Sequence, residues 1–109
     1  MMFLFDLFEE IQEPYQRING RIEYRINGEL SREKGPAVIY DNGLEMWYKE
    51  GLLHREDGPA VIYPNGDKFW YLNGKLHRKH GPAIILLIGE ARWYNNGNLF
   101  KIEQPDLFL

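Results

Sequence analysis

The sequence predicts an all-β chain: an elongated antiparallel meander of hairpin repeats, with a short N-terminal helix. Three observations carry this. Glycines recur at a fixed step, aromatic residues keep the same step, and short β-branched runs lie between turn residues. The eleven glycines fall into three series, and none lies outside them. Gly20, Gly43, Gly66 and Gly89 are 23 residues apart, as are Gly28, Gly51, Gly74 and Gly97, and also Gly35, Gly58 and Gly81. A fixed period of this length marks an internal repeat, here of about four copies.

The first element in chain order is the expected helix. Phe3, Leu4, Leu7, Phe8 and Ile11 sit at helical spacing, and Pro14 ends the pattern. Residues 1–14 are read as an amphipathic helix or cap, and residues 15–109 as the repeat domain. Besides capping an open sheet end, the helix could dock a partner through Phe3 and Phe8.

The strands come next. AVIY, DKFWYL and AIILL are β-branched and aromatic, bounded by Gly, Pro and Asn. Asn-Gly at 19–20, 42–43 and 65–66 reads as a tight hairpin turn in which both residues take positive φ. Asn-Gly at 27–28, 73–74 and 96–97 gives a second turn signal, and Gly-Pro at 35–36, 58–59 and 81–82 a third. Three reversals per copy would make successive copies run in opposite directions. Two main strands per copy are therefore expected, joined by an arm such as 73–78 that holds at most a short extra strand. A two-residue hairpin at Asn73-Gly74 would pair Tyr71 with Leu76 and Trp70 with His77. The same count pairs Trp47 with His54 and Trp93 with Phe100, aromatic on aromatic. Pro105 to Leu109 looks like the start of a fifth copy.

Composition narrows the function. The chain has 109 residues, 44% hydrophobic and 27% charged, the profile of one small globular domain. It has no Cys and no Thr, and Ser31 is its single serine. Disulfides, thiolate metal sites and cysteine nucleophiles are excluded, and hydroxyl nucleophiles nearly so. A net charge of −3 is no footprint of a DNA binder. The apolar start lacks a basic segment and carries Asp6, Glu9 and Glu10, a poor leader and too short to span a bilayer. A cytoplasmic protein without a membrane span is expected.

Other columns keep the phase of the glycines. Trp47, Trp70 and Trp93 follow Tyr24; Tyr48, Tyr71 and Tyr94 follow Arg25; Arg32, Arg55, Arg78 and Lys101 form a basic column. With Leu53, His54, Leu76, His77 and the Gly-Pro-Ala columns, the unit reads W-Y-x-N-G-x-L-H-R-x-x-G-P-A, as in Trp70 to Ala83. This pattern, over about residues 20–105, resembles a divergent form of the MORN (membrane occupation and recognition nexus) repeat. The resemblance implies a protein-binding scaffold, of a type common in bacteria, bacteriophages and large DNA viruses. The second glycine of the usual MORN aromatic strand is missing here, and Trp-Tyr replaces its Tyr-x-Gly-x-Trp spacing, which counts against a lipid role.

His54, Asp57, His77 and His80 could build a hydrolase or nuclease, or His77 and His80 a metal site. They recur once per copy, as structural positions do, so no catalytic residue, metal or cofactor is expected. The basic column should bond loop carbonyls or stack on the neighbouring aromatic; alternatively it receives an acidic surface or a phosphate. Phe69 and Tyr71 alternate with Trp70, so both sheet faces carry aromatics and some stay exposed. The expected function is a non-enzymatic module that binds a protein, in its most concrete form a phage-type inhibitor of a bacterial defence or regulatory protein. The expected partner-binding residues are Trp47, Tyr48, Arg55, Trp70, Tyr71, Arg78, Phe3 and Phe8. The alternative is a protein that sequesters a nucleotide, with aromatics on the base and Arg on the phosphates. An unpaired terminal strand, or the helix of residues 1–11, leaves room for a homodimer.

Overall fold

The structure, a computed structural model, describes residues 15–106. Every helix or strand in that range is a β-strand, and all pairings are antiparallel. The helix expected over residues 1–11, with Phe3 and Phe8, lies outside the described residues.

The short apolar runs form one nine-stranded sheet. Its strands are β1 (Gln16–Ile18), β2 (Arg21–Glu23), β5 (Val38–Tyr40), β6 (Glu45–Met46), β9 (Val61–Ile62), β10 (Lys68–Phe69), β13 (Ile84–Ile85), β14 (Ala91–Asn95) and β15 (Asn98–Glu103), paired in that order. Nine strands at roughly 4.8 Å spacing make a ribbon about 40 Å long. Three hairpins branch from it as separate two-stranded sheets: β3 (Arg25–Ile26) with β4 (Glu29–Leu30), β7 (Tyr48–Lys49) with β8 (Leu52–Leu53), and β11 (Tyr71–Leu72) with β12 (Lys75–Leu76). These hairpins are the arms.

The arm therefore contributes two strands rather than at most one, which corrects the expectation from counting reversals. The correction follows from the role of Gly-Pro. β8 runs opposite β7, and β9 runs opposite β6, so the chain keeps its direction through Gly58-Pro59. Only two reversals remain per copy, and successive copies run the same way. The expected arm register holds: Tyr71 is paired with Leu76, and Tyr48 with Leu53.

The two Asn-Gly columns make different turns. Asn27-Gly28, Glu50-Gly51, Asn73-Gly74 and Asn96-Gly97 all take positive φ at both residues, the two-residue hairpin their spacing predicts. Asn19-Gly20 does the same between β1 and β2. At 42–43 and 65–66 only the glycine has positive φ. There the Gly43 N–H donates to the Tyr40 carbonyl, and Asn42 Oδ1 accepts from the Leu44 N–H at 3.0 Å. Asn65 Oδ1 accepts likewise from the Asp67 N–H. These loops are three-residue turns closed by an αL glycine, with asparagine as a side-chain acceptor.

Glu50 stands where other copies have Asn, at φ 51°. A side chain without the local hydrogen bonding of Asn is strained there by about 1 kcal/mol. Glu50→Asn is expected to raise the unfolding free energy by about that amount, read from a urea titration.

The buried interior is thin. Register aligns Glu23, Val38, Met46, Val61, Phe69, Ile84 and Arg92 in one row across the sheet. Val38, Val61 and Ile84 are buried in it. Ala37, Ala60 and Ala83 are fully buried where the arms depart. Ala60 accepts from the Trp47 N–H at 2.7 Å and donates to the Phe69 carbonyl at 2.8 Å. Ala37 and Ala83 repeat this. Backbones this close leave room for a methyl group and no more.

Two carboxylates are buried near the two ends of the sheet. Glu23 is 6% exposed and accepts from Arg21 Nε at 2.7 Å and Arg25 Nη2 at 3.0 Å. Glu90, 7% exposed, accepts from Arg92 Nε and from Gln104 Nε2. The Arg21 hydrogen bond, reinforced by Arg25, holds the Glu23 carboxyl below its ordinary value of 4.5. The Arg92 and Gln104 hydrogen bonds do the same for Glu90. A folded-state pKa below the unfolded one stabilises the protein above 4.5 and is lost as pH falls below that value. The urea midpoint should therefore drop on acidification through this range. Glu23→Gln should start lower at neutral pH and drop less.

Candidate functional site

The site grows out of the arms. The two-residue turns of the second, third and fourth arms put their backbone N–H groups on the side facing the preceding arm. Gly51, Gly74 and Gly97 donate to the carbonyls of Leu30, Leu53 and Leu76 at 2.8–2.9 Å. The residue before each glycine donates to a side chain. The Glu50 N–H reaches Ser31 Oγ at 3.2 Å, the Asn73 N–H reaches His54 Nδ1 at 3.0 Å, and the Asn96 N–H reaches His77 Nδ1 at 3.0 Å. The Ser/His column thus supplies one acceptor per arm, and arms stack by a ladder of paired bonds. Sequence reasoning missed this role. Its signal was the chemistry shared by Ser31, His54 and His77, each of which offers a lone pair.

The basic column sits against the aromatics. The guanidinium carbons of Arg32, Arg55 and Arg78 lie 3.8, 3.6 and 4.0 Å from the ring centroids of Tyr24, Trp47 and Trp70. Lys101 Nζ lies 4.4 Å from the Trp93 ring. Nη1 of each arginine also donates to a proline carbonyl: Pro36, Pro59 and Pro82, at 3.1–3.2 Å. The Gly-Pro glycine completes the clamp. A Cβ on Gly35, Gly58 or Gly81 would stand 2.8–2.9 Å from the guanidinium beside it. The arginine is thus held between a ring and a bare backbone, and Gly35 and Gly81 also take positive φ, so space and backbone conformation together favour this third glycine series.

The histidines keep their expected backbone position. The His54 N–H donates to the Trp47 carbonyl, and the His77 N–H to the Trp70 carbonyl. The ring faces, however, are occupied by arginine, and each imidazole Nδ1 is turned to the next arm. Aromatic-on-aromatic pairing of Trp with His is thereby corrected: the guanidinium wins the ring face because it gains a carbonyl bond as well. Trp93 pairs with Lys101 rather than Phe100, because a β-bulge shifts the register between Trp93 and Tyr94.

Of the expected binding residues, Trp47, Tyr48, Arg55, Trp70, Tyr71 and Arg78 are all half-buried and lie on or beside the second and third arms. Burial raises the Tyr48 and Tyr71 hydroxyl pKa values, with Tyr40, Tyr63 and Tyr94 adding to the effect.

Between the first and second arms lies a cleft of about 500 Å³. Arg32, Lys49 and Arg55 line it, but so do Glu33, Glu50, Glu56 and Asp57. His54 Nε2 stands 3.5 Å from Glu56 Oε1 at its wall. No group of three metal-ligating side chains is found among the described residues, nor any helix long and apolar enough to cross a membrane.

Comparison with protein-family models, with curated proteins and with solved structures finds no match.

Proposed function

We propose that this chain is a non-enzymatic binding module, a divergent MORN-type array of about four repeats, that recognises a protein partner along its arms. One observation carries this: Trp, Tyr and Arg recur at a 23-residue step on successive arms, half-buried and held in place. These residue types dominate the energetics of protein interfaces. The arginines are already fixed by ring and carbonyl, so little side-chain freedom is lost on binding. Recurrence along a ribbon suits an extended surface better than a compact ligand.

The cleft favours a protein over a nucleotide. Its four carboxylates outnumber its three cations, so a phosphate there would meet net repulsion. The mixed charge suits a protein surface with both signs. The most concrete setting is a phage-type inhibitor that acts in the cytoplasm by covering a bacterial defence or regulatory protein. The MORN-like pattern supports a scaffold role.

The test is an affinity capture from bacterial lysate with the full chain and with Tyr48→Ala and Tyr71→Ala, each checked for an intact fold by circular dichroism. One stoichiometric protein, lost with the folded tyrosine variants, is expected. A nucleotide carried through purification and released by Arg55→Ala with Arg78→Ala would overturn the reading.

A further inference from the structure

We propose that β15 joins two copies of this chain edge to edge, as an antiparallel strand pair centred on Ile102. β15 closes the nine-stranded sheet and, among the described residues, pairs with β14 alone. It is the longest strand, and all six of its residues are exposed. Leu99, Phe100 and Ile102 show 45%, 65% and 47% of their surface. An uncovered edge of this length is a template for another strand.

The earlier copies show how this edge is used. The Leu53 carbonyl accepts from Gly74, the Leu76 carbonyl from Gly97, and the Arg55 N–H donates to the Tyr71 carbonyl of the next arm. Leu99 holds the column of Leu53 and Leu76 in the last copy, and no arm follows it among the described residues. A further arm would also need a side-chain acceptor where Ser31, His54 and His77 stand. Phe100 holds that position and offers none. The edge suits a plain strand and not another turn.

Charge selects the strand and its register. The bulge that leaves Phe100 unpaired breaks the alternation along β15, so Leu99 and Ile102 turn their backbone groups to the free edge while Lys101 and Glu103 pair inward with Trp93 and Ala91. Paired with itself about Ile102, β15 sets Lys101 of each copy opposite Glu103 of the other, twice. Lys101 and Glu103 already lie 3.8 Å apart within one chain, so pairing closes a square of alternating charge. A register centred on Lys101 would instead face lysine with lysine, and one centred on Phe100 makes no charge pair. The resulting dimer is two-fold and closed, so it does not propagate into fibres.

The experiment is sedimentation of the full chain over micromolar to sub-millimolar concentration. A reversible dimer is expected. Lys101→Glu alone and Glu103→Lys alone each oppose like charges, and each should weaken the dimer roughly tenfold. An equimolar mixture of the two variants restores both charge pairs and should recover a heterodimer. The double exchange in one chain should recover a homodimer, and it serves if either single variant folds poorly. A chain that stays monomeric throughout, or a dimer indifferent to both substitutions, overturns the proposal. So does a mixture that fails to recover.

Discussion

Arg55→Ala will lower the unfolding free energy by about 2–3 kcal/mol. Two losses add up. The guanidinium leaves the Trp47 ring, an interaction worth about 1–2 kcal/mol when it is shielded from water, and Arg55 keeps 20% of its side chain exposed. The Pro59 carbonyl loses a charged donor, worth a further 1 kcal/mol or so. Arg55→Lys keeps the charge but lacks the planar fork, so it should recover less than half of the loss. Gly58→Ala attacks the same clamp from the other side, because its methyl would stand 2.8 Å from the guanidinium carbon. Its cost should be about 1–2 kcal/mol in the natural chain and near zero once Arg55 is alanine. Urea unfolding of the four chains gives the coupling directly. Equal cost in both backgrounds would mean that the glycine answers to backbone geometry and not to the arginine.

Ala60→Leu will cost at least as much. Ala60 has no exposed surface, and its own N–H and carbonyl bond both neighbouring strands. Extra methylenes forced between backbones cost about 1–3 kcal/mol. The corner cannot yield without breaking the 2.7 Å bond from Trp47. Ala83→Leu should behave alike, and the two together should leave little folded protein at room temperature. Ala60→Gly should cost less, about 1 kcal/mol. Circular dichroism against urea distinguishes the steric account from one of simple hydrophobicity, under which leucine would stabilise.

Much of the fold is legible in the residues. Trp, Tyr, Leu, Arg and Pro in phase with three glycine series give the repeat. Asn-Gly at 73–74 gives a two-residue hairpin, and counting out from it gives Tyr71 opposite Leu76. Local rules suffice there, because αL turns, pleat alternation and register depend on residues only a few positions apart. Arg55 beside Trp47 was also foreseeable in kind, since a guanidinium next to a ring and a free carbonyl has few better partners.

The columns themselves do not say what each residue touches in the neighbouring copy. The Asn73 N–H meets His54, and the Leu87 N–H meets Asp67, across 19 and 20 residues. Nothing local fixes those distances. Glu23 and Glu90 appear in sequence as ordinary acids, and are buried among Arg21, Arg25, Arg92 and Gln104 only when the strands align. The bulge at Trp93–Tyr94 moves Phe100 away from its expected partner, and Lys101 takes its place.

The sequence by itself determined the period, the turns and the pairing within each arm, because these obey short-range geometry. Only the tertiary structure decided which edge stayed open, which side chains accept the turn N–H groups and why the third glycine must be bare. The open edge and the turn acceptors follow from contacts between copies, where stacking brings together residues about one repeat apart; the bare glycine follows from each arginine folding back within its own copy onto ring and carbonyl.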